Sequence, residues 1–202
     1  YDAHAAGFAP RDPVSLVLDA NVLRGGEAEA RARRELAGYY AHIEATDAAI
    51  GRLCDSLPDD TIVVVTSVHG DMHGVHGLFR KGWPHEESVR VPLIVRGGGF
   101  RNFATDNVAS LLDLPAMTRA WAAGEKWGFS NAARISMPSV VRLPHQCDRA
   151  WRGVRTANWM LALNPDGSPW LLFDMRADPA QMRNLAADPG CAAMMERLRE
   201  LV

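Results

Sequence analysis

Thr61–Thr66, TIVVVT, is an almost unbroken β-branched apolar run, the pattern of a strand buried on both faces of a mainly parallel sheet. Upstream, from Glu27 to about Leu57, the apolar positions Leu36, Tyr40, Ile43, Ile50, Leu53 and Leu57 recur at three, four or seven residue intervals. That spacing predicts an amphipathic helix, ended by Pro58, that packs on the sheet. Residues 1–26, with Pro10, Pro13, Gly25 and Gly26, read as an irregular lead-in, and Val91–Arg96 as a second short strand closed by Gly97, Gly98 and Gly99. Within residues 107–122, Pro115 would interrupt or restart any helix.

From Ala123 to Gln146 no clear period is visible, as expected of a crossing segment. Gly153–Leu163 and Trp170–Asp174 then read as strands joined by the NPDG turn at Asn164–Gly167, and Cys191–Val202 as a closing helix. The fold class expected is α/β, a partial mainly parallel sheet flanked by helices and followed by a small antiparallel β sheet with a terminal helix. The boundary is placed near residue 146, giving domains 1–146 and 147–202.

Composition narrows the partners more than the fold. With 48% hydrophobic and 23% charged residues, 202 residues can bury a sizeable core. A net charge of −2 gives no electrostatic case for nucleic acid or a membrane surface. No run of about 20 apolar residues predicts a membrane segment, and no signal peptide stands at Tyr1, although a chain beginning without Met can have lost either. Three cysteines cannot all pair, which favours reduced thiols and leans toward a soluble, cytoplasmic chain while leaving the compartment open.

The chemistry concentrates after the first strand, in TSVHGDMHGVHGLFRKGWPHEES. In open α/β sheets ligands sit outside the carboxyl ends of strands, here at Ser67, Val68, His69 and Gly70. Gly70, Gly74 and Gly77 allow tight turns and close approach to a bound group, so the loop suits a metal or an oxyanion. His69, His73 and His76 are spaced like ligands on successive helical turns, and imidazole suits zinc. The glycines oppose a regular helix through them, and the plainer reading is loop histidines that hydrogen bond or face the cleft. Lys81 alone reads as a solvated lysine. Trp151, Trp159, Trp170, Met160 and Phe173 read as the core of the terminal sheet.

The ordered motifs TSVHGDMHGVHG, Lys81 and HEESVRVPLIV resemble the sulfatases of the alkaline phosphatase superfamily, in their carboxy-terminal portion only. YYAHIEATDAAIGRLCDSL upstream and RGVRTANWMLALNPDGSPWLLFDMRADPAQMRNLAADP downstream extend the resemblance over nearly the whole chain, and NVASLLDLPAMTRAWA is similar to a family helix of the pattern S-x-x-D-L-x-P-T-x-L. The resemblance implies an alkaline-phosphatase-like fold and hydrolysis of sulfate esters, or in some relatives phosphate or phosphonate esters. The nucleophile would be a formylglycine hydrate made in a C/S-x-P-x-R motif, with a divalent cation, usually calcium.

Carried over by position, the family's second metal segment, approximately T-S-D-H-G-D-x-x-G-x-H-G, puts His69 at an Asn-or-His metal position and Lys81 at a sulfate contact. His76 falls at the H-G position, and His73 where an apolar residue is usual. Val68 stands at the aspartate, so calcium is expected to bind weakly or not at all. Glu86 and Glu87 are expected to ion-pair with Arg90, Asp47 to serve as a buried helix-to-loop partner, and Arg152 and Arg155 to lie on a strand that approaches the cleft in relatives.

None of Cys54, Cys147 and Cys191 begins C-x-P-x-R, and no serine does, so the chain carries no nucleophile of its own. Two classes follow. One is the carboxy-terminal part of an ester hydrolase, inactive alone, whose substrate is a sulfated or related anionic small molecule or glycan. The other is a degenerate, non-catalytic homologue that binds an anion, or a partner chain completing the sheet.

Overall fold

A computed structural model describes residues 12–100, 104–140 and 142–202. The chain divides into two compact units, the first drawn from residues within 1–67, 71–80 and 92–100, the second from 68–70, 81–91 and 101–202.

In the first unit, helix α1 (Gly26–Asp55) begins with Glu27 and Glu29 in its first turn, where carboxylates complement the helix dipole. The Gly25 amide donates to Glu29 Oε2 at 2.7 Å, and this bond, with Arg33, holds the Glu29 carboxyl below its ordinary range. The residues α1 buries are small: Ala32, Ala37, Gly38, Ala41 and Cys54. Tyr40, Ile43 and Leu53, expected to face the sheet, are exposed, and so is Asp47. The small face is required by a close approach, because a Cβ on Gly74 would lie 2.6 Å from Ala32 Cβ.

Strands β1 (Val63–Thr66) and β2 (Leu93–Arg96) also belong to this unit. They pair antiparallel, Val63 opposite Arg96 and Thr66 opposite Leu93. The mainly parallel sheet is therefore not what the described strands form. A parallel pair needs a crossover, usually a full helix, and the connection here carries only the one-turn helix α2 (Glu86–Val89). Nor is β1 buried on both faces; every residue of it is half-buried.

The second unit holds α2, helix α3 (Leu114–Ala122), and an antiparallel sheet in the order β3 (Ala132–Met137), β4 (Trp151–Thr156), β5 (Trp159–Leu163), β6 (Pro169–Asp174). Ser110 and Asp113 form a capping box just ahead of α3, and Pro115 sits in its first turn, where a missing N–H costs nothing. The NPDG turn joins β5 to β6, with Gly167 at φ +84° and its amide on the Asn164 carbonyl at 2.9 Å. The run expected as one strand, Gly153–Leu163, is two, turning at Ala157–Asn158. The boundary expected near residue 146 falls inside this unit, between β3 and β4, which pair along their whole lengths.

Alternation along β5 supplies both faces of the sheet. Met160 and Ala162 join Cys147, Trp151, Phe173 and Met175 on one face. Leu161 and Leu163 join Val154, Leu172 and Leu198 on the other. Leu198 comes from helix α4 (Ala192–Arg199), which closes that second face.

Candidate anion-binding site

Val68, His69 and Gly70, together with Lys81–Val91, belong to the second unit. The Lys81 ammonium lies 2.9 Å from His69 Nε2, and His69 Nδ1 lies 2.9 Å from the Gly70 carbonyl oxygen. An ammonium only donates and a carbonyl only accepts, so the two contacts are satisfied together by the tautomer with its proton on Nδ1. His69 then accepts from Lys81 through the bare Nε2.

The loop backbone that carries this pair is fixed by Ser88, itself buried on α2. Its carbonyl accepts from the Gly70 amide at 2.9 Å, and its hydroxyl accepts from the Gly82 amide at 3.1 Å. Gly70 permits the first bond, since a Cβ there would run into the Glu87 carbonyl oxygen. The Gly82 carbonyl accepts from Trp151 Nε1 at 2.7 Å, and the Lys81 carbonyl from the Cys147 amide at 3.4 Å.

Glu86 is not paired with Arg90, as expected, but with Arg155 on β4. Arg155 Nε reaches Glu86 Oε1 at 2.7 Å and Nη2 reaches Oε2 at 3.3 Å, with the two side chains 21% and 15% exposed. Arg155 also donates to the Thr156 carbonyl, so its guanidinium is engaged within the fold. The Glu86 amide donates to Gln181 Oε1 at 2.9 Å. Trp151, Ser88 and Gln181 were not legible as site supports. The one signal available was that a buried tryptophan N–H needs an acceptor.

His73 and His76 lie in the first unit. His73 and His76 have φ of +44° and +51°, left-handed values that a helix excludes, so the helical alignment their spacing permits does not form. The His76 amide donates to the Asn21 carbonyl at 2.7 Å. The His73 ring is 7% exposed and packs on Tyr39 with centroids 4.3 Å apart. Burial pushes its pKa down, against the opposing pull of Asp71, whose carboxylate lies 3.8 Å from Nδ1, and of Glu35. Among the described residues no three His, Cys, Asp or Glu side chains converge as a metal site.

The Sulfatase family model matches residues 12–124, more than half of the chain. The chain belongs to the sulfatase family. It is 31% identical to the ulvan-active sulfatase of Formosa agariphila over 92% of its own length and 41% of that protein's. It superposes with a TM-score of 0.65 on a protein solved in complex with its substrate D-glucosamine-2-N,6-O-disulfate, at 24% identity over 88% of this chain and 42% of the other. A phosphonate monoester hydrolase from Silicibacter pomeroyi gives a TM-score of 0.71 at 23% identity, over 94% and 44%. The chain thus spans about two fifths of the length of the sulfatases it matches.

Sulfatases use a divalent metal, and the described residues of the loop at Val68–Gly70 do not fit a hard one. Such a cation wants six or more oxygen ligands. At the loop that would supply them, Val68 offers an isopropyl group that is 82% exposed, and the Nε2 lone pair of His69 is engaged by an ammonium. What this part of the sulfatase chain presents instead is a positive charge on Lys81, held by a polar neighbour at a strand end, which suits an oxyanion.

No helix among the described residues is long and apolar enough to cross a membrane.

Proposed function

We propose that the chain is the carboxy-terminal part of a sulfatase-like hydrolase of sulfate esters and is inactive alone. The single observation behind this reading is the His69–Lys81 pair at 2.9 Å in a chain of the sulfatase family. In that role Lys81 binds an oxygen of the ester anion and stabilises charge that grows on it, while His69 orients the ammonium by accepting one of its protons. The formylglycine nucleophile and most ligands of a cation would come from an upstream segment. The substrate would be a sulfated glycan or a related small anion.

Incubation of the chain with an aryl sulfate and calcium is expected to give no turnover above a His69→Ala, Lys81→Ala control. Turnover above that control refutes the reading of the isolated chain.

Val68 favours a second reading, a degenerate homologue that keeps the fold and binds an anion or a partner without catalysis. A partner strand has a place to add, since Ile94 on β2 is 58% exposed and the described sheet of β1 and β2 has only two strands. The likeness to a phosphonate monoester hydrolase concerns the fold, and phosphate or phosphonate esters remain the alternative substrate class for the intact protein. Assaying the native polypeptide against sulfate and phosphonate monoesters separates the three: hydrolysis of neither supports the non-catalytic reading.

A further inference from the structure

We infer that two positioning residues, Trp151 on the carboxy-terminal sheet and Ser88 on α2, set the position of Lys81. This rests on the proposed anion-facing role of Lys81 for its functional meaning, though not for its geometry. The peptide between Lys81 and Gly82 is held at both ends: its carbonyl oxygen by the Cys147 amide at 3.4 Å and its N–H by the Ser88 hydroxyl at 3.1 Å. The next carbonyl, of Gly82, is held by the Trp151 indole at 2.7 Å. A peptide plane fixed at both ends, with its successor also fixed, determines the direction in which the Lys81 side chain leaves the backbone.

Each anchor is buried. Trp151 is 4% exposed and packed with Cys147, Met160 and Phe173, so its N–H has no water to turn to and Gly82 is its acceptor. Gly82 has φ +87°, and a Cβ there would meet Met137 Cε at 3.2 Å, so the turn lies close against β3 and a side chain at this position is strained. Ser88 also joins the two halves of the pair, since its carbonyl takes the Gly70 amide beside His69 while its hydroxyl takes the Gly82 amide beside Lys81. The 2.9 Å contact between Lys81 and His69 is thus a consequence of one buried serine and one indole reaching from β4.

The test uses the full chain labelled with 15N, reading the His69 Nε2 resonance and the affinity for inorganic sulfate. Trp151→Phe keeps the ring and deletes the donor, and Ser88→Ala deletes the hydroxyl alone. Both are expected to move the Nε2 resonance toward its position in Lys81→Met. Both are also expected to weaken sulfate about five- to tenfold, the equivalent of one buried hydrogen bond. Met160→Ala opens a cavity beside Trp151 while leaving every anchoring donor and acceptor in place, and is expected to lower stability with much smaller effects on both readings. The inference is overturned if Trp151→Phe and Ser88→Ala leave the Nε2 resonance where it is in the parent, or if Met160→Ala moves it as far as they do. If sulfate perturbs none of the chains, the anion-facing role of Lys81 fails, and the resonance alone still decides the positioning.

Discussion

Replacing Arg155 by methionine keeps the aliphatic stem and removes the guanidinium that forks onto Glu86 at 2.7 and 3.3 Å. Breaking a fully buried ion pair from one side costs about 3–5 kcal/mol, because a charge is stranded, whereas an exposed pair is worth about 0–1 kcal/mol. The two side chains are 21% and 15% exposed, nearer the buried limit, and Glu86 keeps its backbone bond to Gln181 after the change. We therefore expect Arg155→Met to cost about 2–3 kcal/mol, and a double-mutant cycle with Glu86→Gln to give a coupling of about 1.5 kcal/mol. Urea denaturation followed by tryptophan fluorescence measures this selectively. All six tryptophans, at 83, 121, 127, 151, 159 and 170, lie in the unit that contains β3–β6. The same cycle with Arg90→Met should show no coupling, since Arg90 is exposed and Glu86 is paired elsewhere. A coupling below about 0.5 kcal/mol between Arg155 and Glu86, or one carried by Arg90, refutes the assignment.

Gly70→Ala forces the Glu87 carbonyl to retreat and is expected to cost about 1–3 kcal/mol, with the His69 imidazole signal displaced; an unchanged signal would show that the loop does not depend on that approach. Burial raises the pKa of the Cys147 thiol, so in the native chain iodoacetamide should modify Cys191, which is partly exposed, well before Cys147; equal rates by mass spectrometry would contradict the packing. Burial lowers the pKa of His73, so the folded state resists a proton that the unfolded chain accepts below about pH 6.5. Its stabilising contribution is therefore full above that value, is lost as pH falls through it, and levels off below the folded pKa. Circular dichroism melts should show a decline over this window that His73→Asn, tolerant of the left-handed backbone, abolishes.

How much of this could be read in advance depended on whether the interaction was local. β1, β2 and β6 announce themselves as apolar runs, and the NPDG turn fixes one hairpin. The turn at Ala157–Asn158 was hidden because it is only two residues long and carries neither glycine nor proline, so nothing punctuates the run from β4 into β5. β3 was missed because Arg134 and Ser136 break its apolar run and no turn signal bounds it. On α1 the large apolar residues drew attention while the alanines made the contact, because the decisive quantity was the closeness of Gly74. At the site, the loop motif singled out His69 and Lys81, whose side chains lie 2.9 Å apart. The partner of Glu86 was misread since Arg90 is one helical turn away and Arg155 is 69 residues away, and spacing records only the first kind of neighbour.

Val68 carries the argument between an enzyme part and a binding homologue, and its surroundings make the choice testable. An isopropyl group that is 82% exposed gains little from burial, so packing in this chain does not explain the valine. Val68→Asp should then change the unfolding free energy by less than about 0.5 kcal/mol, as for other surface substitutions. It would at the same time add an anionic oxygen ligand beside His69 and a charge that competes for the Lys81 ammonium. Calorimetry of the intact protein with calcium should accordingly show a clear gain in affinity for Val68→Asp at unchanged stability. A gain places the rest of an inherited cation site within reach of residue 68, as a sulfatase-type enzyme requires. No gain, with the fold intact, means that the loop does not form the inherited cation site, which favours the non-catalytic homologue.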